Sequence, residues 1–205
     1  MERKVLILTD GKAGHENQSK AFARALGCEY DLVEVHFKSK FAKALSYLFD
    51  RFGLLTLSLL QSNNRTIEQS NNSYSAVIGT GSGTFYAAKA LARKLGVKCG
   101  VVLYPRGYRI STFDCVLAPA FDNPAKAPNV IEIPANLVAN DEAFYAKGVA
   151  AFAEKSGFQI SDFKSSSPDD GKSKNAIAVI IGGPNKCSTM SPAWMKGELT
   201  RIFTE

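Results

Sequence analysis

The chain alternates short, uninterrupted apolar runs with stretches in which apolar residues recur at helical spacing. Val5–Leu8 is apolar throughout, as in a parallel strand that is buried on both faces. Residues 18–27 then carry apolar positions at helical spacing and end at Gly27, a typical helix C-cap. The chain is therefore predicted to open with a strand, a loop and a helix.

The same alternation continues through most of the chain. Further strands are predicted at 30–35, 75–80, 99–104, 113–119 and 129–134, and further helices at 84–96 and 141–156. Such alternation is typical of an α/β fold. It predicts a Rossmann-like open parallel sheet with helices on both faces.

The composition changes near the end of the chain. Residues 165–174 are rich in Ser, Pro, Asp and Gly, as in a linker, and a strand at 176–181 and a helix opened by Ser191–Pro192 follow. A unit of about 30 residues cannot bury a core of its own. We therefore expect an N-terminal domain over 1–165, a linker over 166–174 and the first β-loop-α unit of a truncated second domain over 175–205. The alternative is that this last unit joins the first sheet.

Three glycine loops follow predicted strands, at 11–15, 79–83 and 182–184. In open α/β sheets, ligands bind at the carboxyl ends of the strands, where such loops lie. The loops therefore indicate a ligand cleft. A second interpretation stays open, in which these loops only cap helices or allow close strand–helix packing.

The first loop, DGKAGHENQS at Asp10–Ser19, is the most informative stretch. Free backbone N–H groups and the helix dipole favour an anion at such a strand–helix junction. Gly11 and Gly14 are expected to allow positive φ angles and close approach of a ligand. His15 can accept or donate a proton near neutral pH.

The sequence lacks the motifs that are typical of several enzyme classes. The nucleoside-triphosphate loop GxxxxGK[ST] is absent from the sequence. A dinucleotide-binding enzyme is disfavoured because GTGSGT is not a clean GxGxxG motif. Glu34 is the one acidic residue that is well placed to bind a ribose. A serine hydrolase is disfavoured because GxSxG is absent and His15 and His36 are the two histidines. His36 is interpreted as a strand-end residue without chemistry.

The net charge and the cysteines indicate which ligands and which cellular location to expect. The net charge is +6 and the pI about 9.1, which favours anionic ligands, but no block of Lys and Arg indicates nucleic-acid binding. The four cysteines have no CxxC spacing, so a zinc site is disfavoured. We expect neither a metal nor a cofactor. Reduced cysteines and an N-terminus without a signal-peptide core predict a cytoplasmic location.

Segment 37–61 interleaves Lys and Arg with Phe and Leu. A basic amphipathic helix of this kind can lie on an anionic membrane surface, which would make the protein peripheral on a membrane. Packing of the apolar face against its own domain or a partner domain is the alternative.

DGKAGHENQS, IGTGSGTFYAAKALAR, the FDCVLAP strand and IGGPNK after the linker together resemble the mitochondrial-fission Elm-type family. The resemblance covers nearly the whole chain. The family is similar to GT-B glycosyltransferases, in which two Rossmann-like domains face each other across a cleft. The resemblance therefore implies a nucleotide-sugar bound in an interdomain cleft and glycosyl transfer to an unidentified acceptor, without a metal.

In that scheme His15 or Asp10 is the general base for the acceptor hydroxyl. The ligand-binding residues are then Gly11, Gly14, Asn17, Gly81, Ser82, Gly83, Arg106, Gly182, Gly183, Asn185 and Lys186. For Arg106, with Arg109, and for Lys186, phosphate contact and a solvated loop position are both open. The rival hypothesis is a non-catalytic protein of the same fold that binds a membrane surface or a partner. The sequence does not predict an oligomeric state.

Overall fold

The computed structural model describes residues 3–62, 74–138, 142–156 and 191–204. The chain divides into two compact units, Met1–Phe144 and Tyr145–Glu205. The sheet elements and helices of the first unit are β1 (Lys4–Thr9), α1 (Ala13–Ala25), β2 (Glu29–Phe37), α2 (Lys40–Arg51), β3 (Leu60–Ser62), β4 (Ala76–Thr80), α3 (Phe85–Leu95), β5 (Lys98–Val102), β6 (Cys115–Pro119) and β7 (Val130–Ile133). Two further helices are α4 (Glu142–Ser156) and α5 (Pro192–Thr204).

These strands form one sheet in the order β3-β2-β1-β4-β5-β6-β7. All neighbouring pairs are parallel except β2 and β3, which are antiparallel. The predicted α/β, Rossmann-like fold is thereby confirmed. The predicted linker and the strand at 176–181 lie outside the described residues, so the proposed domain boundaries stay a prediction.

The inner strands β1, β4, β5 and β6 are buried on both faces, which explains their uninterrupted apolar runs. Successive side chains of a strand point to opposite faces, so Leu6 and Ile7 in β1 belong to two separate hydrophobic clusters. Phe22 of α1 covers the face of Ile7, and Leu91 of α3 covers the face of Leu6. Helices on both faces therefore hold the parallel strands in place.

Two sequence predictions are corrected. The first helix begins at Ala13 rather than at residue 18, so His15 lies in its first turn instead of in a loop. Segment 37–61 is not one helix, because α2 ends at Arg51 and Gly53 follows in the left-handed region at φ 74°. The apolar run beyond Gly53 forms a short 3-10 turn, Leu57–Leu59, and the edge strand β3.

Candidate functional site

The candidate site lies where β1 and β4 run side by side. The chain builds β2 and β3 on one side of β1 and then returns to build β4 to β7 on the other side. This is a topological switch point, at which the connections leaving the carboxyl ends of two neighbouring strands diverge. The loops after Thr9 and Thr80 leave from this point, because β1 and β4 are parallel and in register.

Asp10 and His15 form a carboxylate–imidazole pair at this edge. Asp10 directly follows β1, and Nδ1 of His15 lies 3.0 Å from its Oδ1 and 3.2 Å from its Oδ2. The side chain of Asp10 is 9% exposed and that of His15 is 21% exposed. A carboxylate at Nδ1 favours the tautomer in which Nδ1 carries the proton and Nε2 is an acceptor. The pair can therefore present a base at Nε2.

The surroundings of Asp10 keep its carboxyl group ionised. Burial opposes ionisation, but the hydrogen bond and charge of His15, together with Lys12, outweigh it and hold the pKa of Asp10 below its ordinary value. The Nζ atom of Lys12 lies 3.3 Å from Oδ2. An ionised Asp10 stabilises the imidazolium that forms when His15 accepts a proton.

The second glycine loop packs directly on this pair. Gly81 has φ +81°, and a Cβ on Gly81 would overlap three atoms of the His15 ring. A Cβ on Gly83 would lie 2.8 Å from Oδ2 of Asp10. The missing side chains of Gly81 and Gly83 therefore allow the loops after β1 and β4 to meet. Gly79 serves packing instead, since its Cβ would lie 2.8 Å from Oγ1 of Thr84.

Two helices begin at this edge without a side-chain cap. The residues before their first turns are Lys12 for α1 and Thr84 for α3, and neither side chain accepts a hydrogen bond from the helix. The hydroxyl of Thr84 donates to the carbonyl of Gly81 instead. Uncapped N–H groups and the helix dipole favour an anion, so the edge suits a negatively charged ligand.

Lys43 is a site residue that the sequence analysis assigned elsewhere. It was grouped with the basic face of segment 37–61, but its Nζ donates to Oγ of Ser82 at 2.9 Å. Helical spacing is consistent with this contact, because Lys43 lies three residues before Ser46 and seven before Asp50, which are both buried against the domain.

Glu34 and His36 form a second carboxylate–imidazole pair, at the end of β2. Oε1 of Glu34 lies 2.8 Å from Nε2 of His36. The same oxygen would lie 3.1 Å from a Cβ on Gly11, which has φ +80°. Gly11 therefore adopts the predicted positive φ.

Of the two glycines in the first loop, Gly14 does not adopt positive φ. It lies in the first turn of α1 rather than at positive φ, and a Cβ there would meet nothing within 4 Å. Asn17 is exposed on the same helix. Ser19 joins α1 to β4 through a 2.6 Å contact between its Oγ and Oγ1 of Thr80.

The two arginines after β5 make separate contacts. Arg106 donates from its guanidinium to the carbonyl of Asp122 at 2.6 Å. Arg109 donates its backbone N–H to Oδ2 of Asp50 at 2.6 Å. Gly182, Gly183, Asn185 and Lys186 lie outside the described residues.

Within the described ranges, no three His, Cys, Asp or Glu side chains come together in a group that could hold a metal ion. None of the helices described has the length and apolarity needed to cross a bilayer.

The comparisons with known proteins identify the family. The sequence model of the family described as mitochondrial fission ELM1 matches residues 13–203. Comparison with curated proteins and with solved structures gave no match. The matched range contains His15, the loop at 79–83 and the loop at 182–186. The chain belongs to the mitochondrial fission ELM1 family.

Proposed function

We propose that this protein binds a nucleotide-sugar and transfers its glycosyl group to an acceptor hydroxyl. The proposal rests on the Asp10–His15 pair, which lies against Gly81 at the switch point of a Rossmann-like sheet. A polarised imidazole is the common general base for activating a hydroxyl group.

The reaction can be written with the residues in named roles. Nε2 of His15 removes the proton of the acceptor hydroxyl as the oxygen attacks the anomeric carbon. The bond from that carbon to the nucleoside diphosphate breaks, and the diphosphate leaves with the bonding electrons. Asp10 holds the ring in place and stabilises the imidazolium.

The protein must also bind the negatively charged diphosphate of the substrate. In the scheme that the GT-B resemblance implies, Gly182, Gly183, Asn185 and Lys186 and the start of α5 would bind the diphosphate without a metal. The net charge of +6 supports an anionic substrate.

The test uses the full chain and a panel of uridine, guanosine and adenosine diphosphate sugars. Thermal shift identifies a nucleotide-sugar that binds, because a ligand of the folded state raises the melting temperature. Release of the nucleoside diphosphate then reports turnover. We expect His15→Ala to lower turnover by about 10²–10⁴-fold, the usual range for losing a general base.

His36→Ala is the matched control, since it removes the other histidine, which also pairs with a carboxylate. Equal turnover by His15→Ala and the unmodified protein would exclude His15 as the base. Binding without turnover in any acceptor mixture would favour the non-catalytic alternative.

A further inference from the structure

The outer face of α2 and the turn after it expose a stripe of large apolar side chains. Phe41, Leu48, Phe52 and Leu54 are 75%, 51%, 71% and 54% exposed. On α2 itself these positions follow helical spacing, because Phe41 and Leu48 are two turns apart. Contiguous exposed apolar groups of this kind mark an interaction surface.

The charges around this stripe have one sign. The exposed charged residues beside it are Lys38, Lys40 and Arg51. The acidic residue of the helix, Asp50, is 1% exposed and is neutralised by Lys89 at 2.6 Å. The stripe is therefore an apolar strip with basic flanks and no exposed acid on its own helix.

The helix that carries the stripe is fixed to the domain on its other side. Asp50 bonds Lys89 of α3, and Oγ of Ser46 lies 2.9 Å from the hydroxyl of Tyr108. The ring of Tyr47 stacks on that of Tyr108 at 4.4 Å between centroids. These contacts fix α2 to the domain, so its exposed face is part of the folded structure.

We propose that this face docks on an anionic lipid surface. Phe and Leu side chains enter the boundary between headgroups and acyl chains, and flanking Lys and Arg attract anionic headgroups. A second copy of the chain is a poorer occupant, because it would bring Lys38, Lys40 and Arg51 of both copies together. The inference does not depend on glycosyl transfer.

The surface lies beside the candidate site. Phe41 belongs to the exposed stripe, whereas Lys43, two positions later, reaches Ser82 in the glycine loop. A docked membrane would therefore lie close to the edge at which Asp10 and His15 meet.

The test is co-sedimentation of the full chain with phosphatidylcholine vesicles prepared with and without phosphatidylserine. We expect binding to the anionic vesicles, weak binding to the neutral ones, and loss of binding as salt rises. Lys40→Gln with Arg51→Gln should weaken binding about 25-fold, since each basic residue near the surface contributes about fivefold. Phe41→Gln with Phe52→Gln should weaken it further by removing the apolar contact.

The control variant changes a Phe and a Lys outside α2. Phe121 is 67% exposed and Lys126 is exposed, so Phe121→Gln with Lys126→Gln should bind like the unmodified protein. Thermal unfolding verifies that every variant folds. Equal binding to neutral and anionic vesicles, binding unaffected by the α2 variants, or no binding at all would overturn the proposal. Self-association abolished by Phe41→Gln with Phe52→Gln, without vesicle binding, would assign the face to a second copy instead.

Discussion

The imidazole ring of His15 lies against the backbone of Gly81, so closely that any side chain at Gly81 would overlap it. His15 lies in the first turn of α1, which follows β1, and Gly81 lies in the loop after β4, the parallel neighbour of β1. This contact, rather than either loop alone, defines the candidate site.

The contact predicts a specific effect of Gly81→Ala. Gly81 and Gly96 both have positive φ, so alanine at either position costs about 1–2 kcal/mol of folding free energy. Only at Gly81 does the added Cβ meet the His15 ring, whereas at Gly96 it meets nothing within 4 Å. Urea unfolding should show a larger loss for Gly81→Ala, and nucleotide-sugar turnover should fall in that variant alone. Equal stability and turnover in the two variants would contradict the contact.

Gly14 and Gly83 should respond in opposite directions. Gly14 is helical and open, so Gly14→Ala should stabilise the protein by about 0.5–1 kcal/mol through helix propensity. Gly83→Ala should destabilise it, since the new Cβ meets the carboxylate of Asp10. Chemical denaturation measures both changes. A loss of nucleotide-sugar turnover in Gly14→Ala, despite the higher stability, would support the predicted ligand contact at Gly14.

The ion pair of Asp50 and Lys89 should dominate the stability of the α2–α3 contact. Burial lowers the pKa of Lys89 against the opposing effect of Asp50, and Nζ of Lys89 also donates to the carbonyl of Arg109. Lys89→Met leaves Asp50 buried without its partner and should cost about 3–5 kcal/mol. Asp50→Leu combined with Lys89→Met should cost less than the sum of the two single changes, which a double-mutant cycle by urea unfolding would measure. Additive losses would show that the two residues do not act as a pair.

Asp10 should contribute to the dependence of stability on pH. Its pKa in the folded protein is lowered, so the unfolded chain binds a proton at a higher pH than the folded chain does. The stabilisation is therefore present above the ordinary carboxyl pKa of about 3.9 and is lost as pH falls through the folded pKa. The free energy of unfolding measured from neutral to acidic pH should decline less steeply in Asp10→Asn. An unchanged slope would mean that Asp10 is not ionised against His15.

Local patterns were enough to predict the α/β class. The apolar run Val5–Leu8 indicated a strand buried on both faces, and the structure places it inside the sheet as part of β1, between β2 and β4. The glycine loops at 11–15 and 79–83 were also placed at the carboxyl ends of strands, and β1 and β4 are parallel, so both loops lie at one edge of the sheet. The family membership follows from the sequence as well.

Long-range contacts decided what local patterns left open. Lys43 was an ordinary basic residue of an amphipathic segment until α2 packed beside the loop that contains Ser82. Asp50 is buried, because Lys89 of α3 neutralises its charge and the backbone N–H of Arg109 donates to its second oxygen. Both partners are distant in sequence, so no local pattern indicates this burial.

The sequence by itself indicated six strands of the sheet, β1, β2 and β4 to β7, and the glycine loops, because hydrophobic periodicity and turn residues act over a few neighbours. It did not indicate the edge strand β3 or the start of α1 at Ala13. Only the tertiary structure decided that His15 meets Gly81 and that Asp10 meets Gly83. Those contacts depend on strand order and on where α1 begins. Both are fixed by the packing of the two hydrophobic clusters across the whole sheet rather than by any short stretch of sequence.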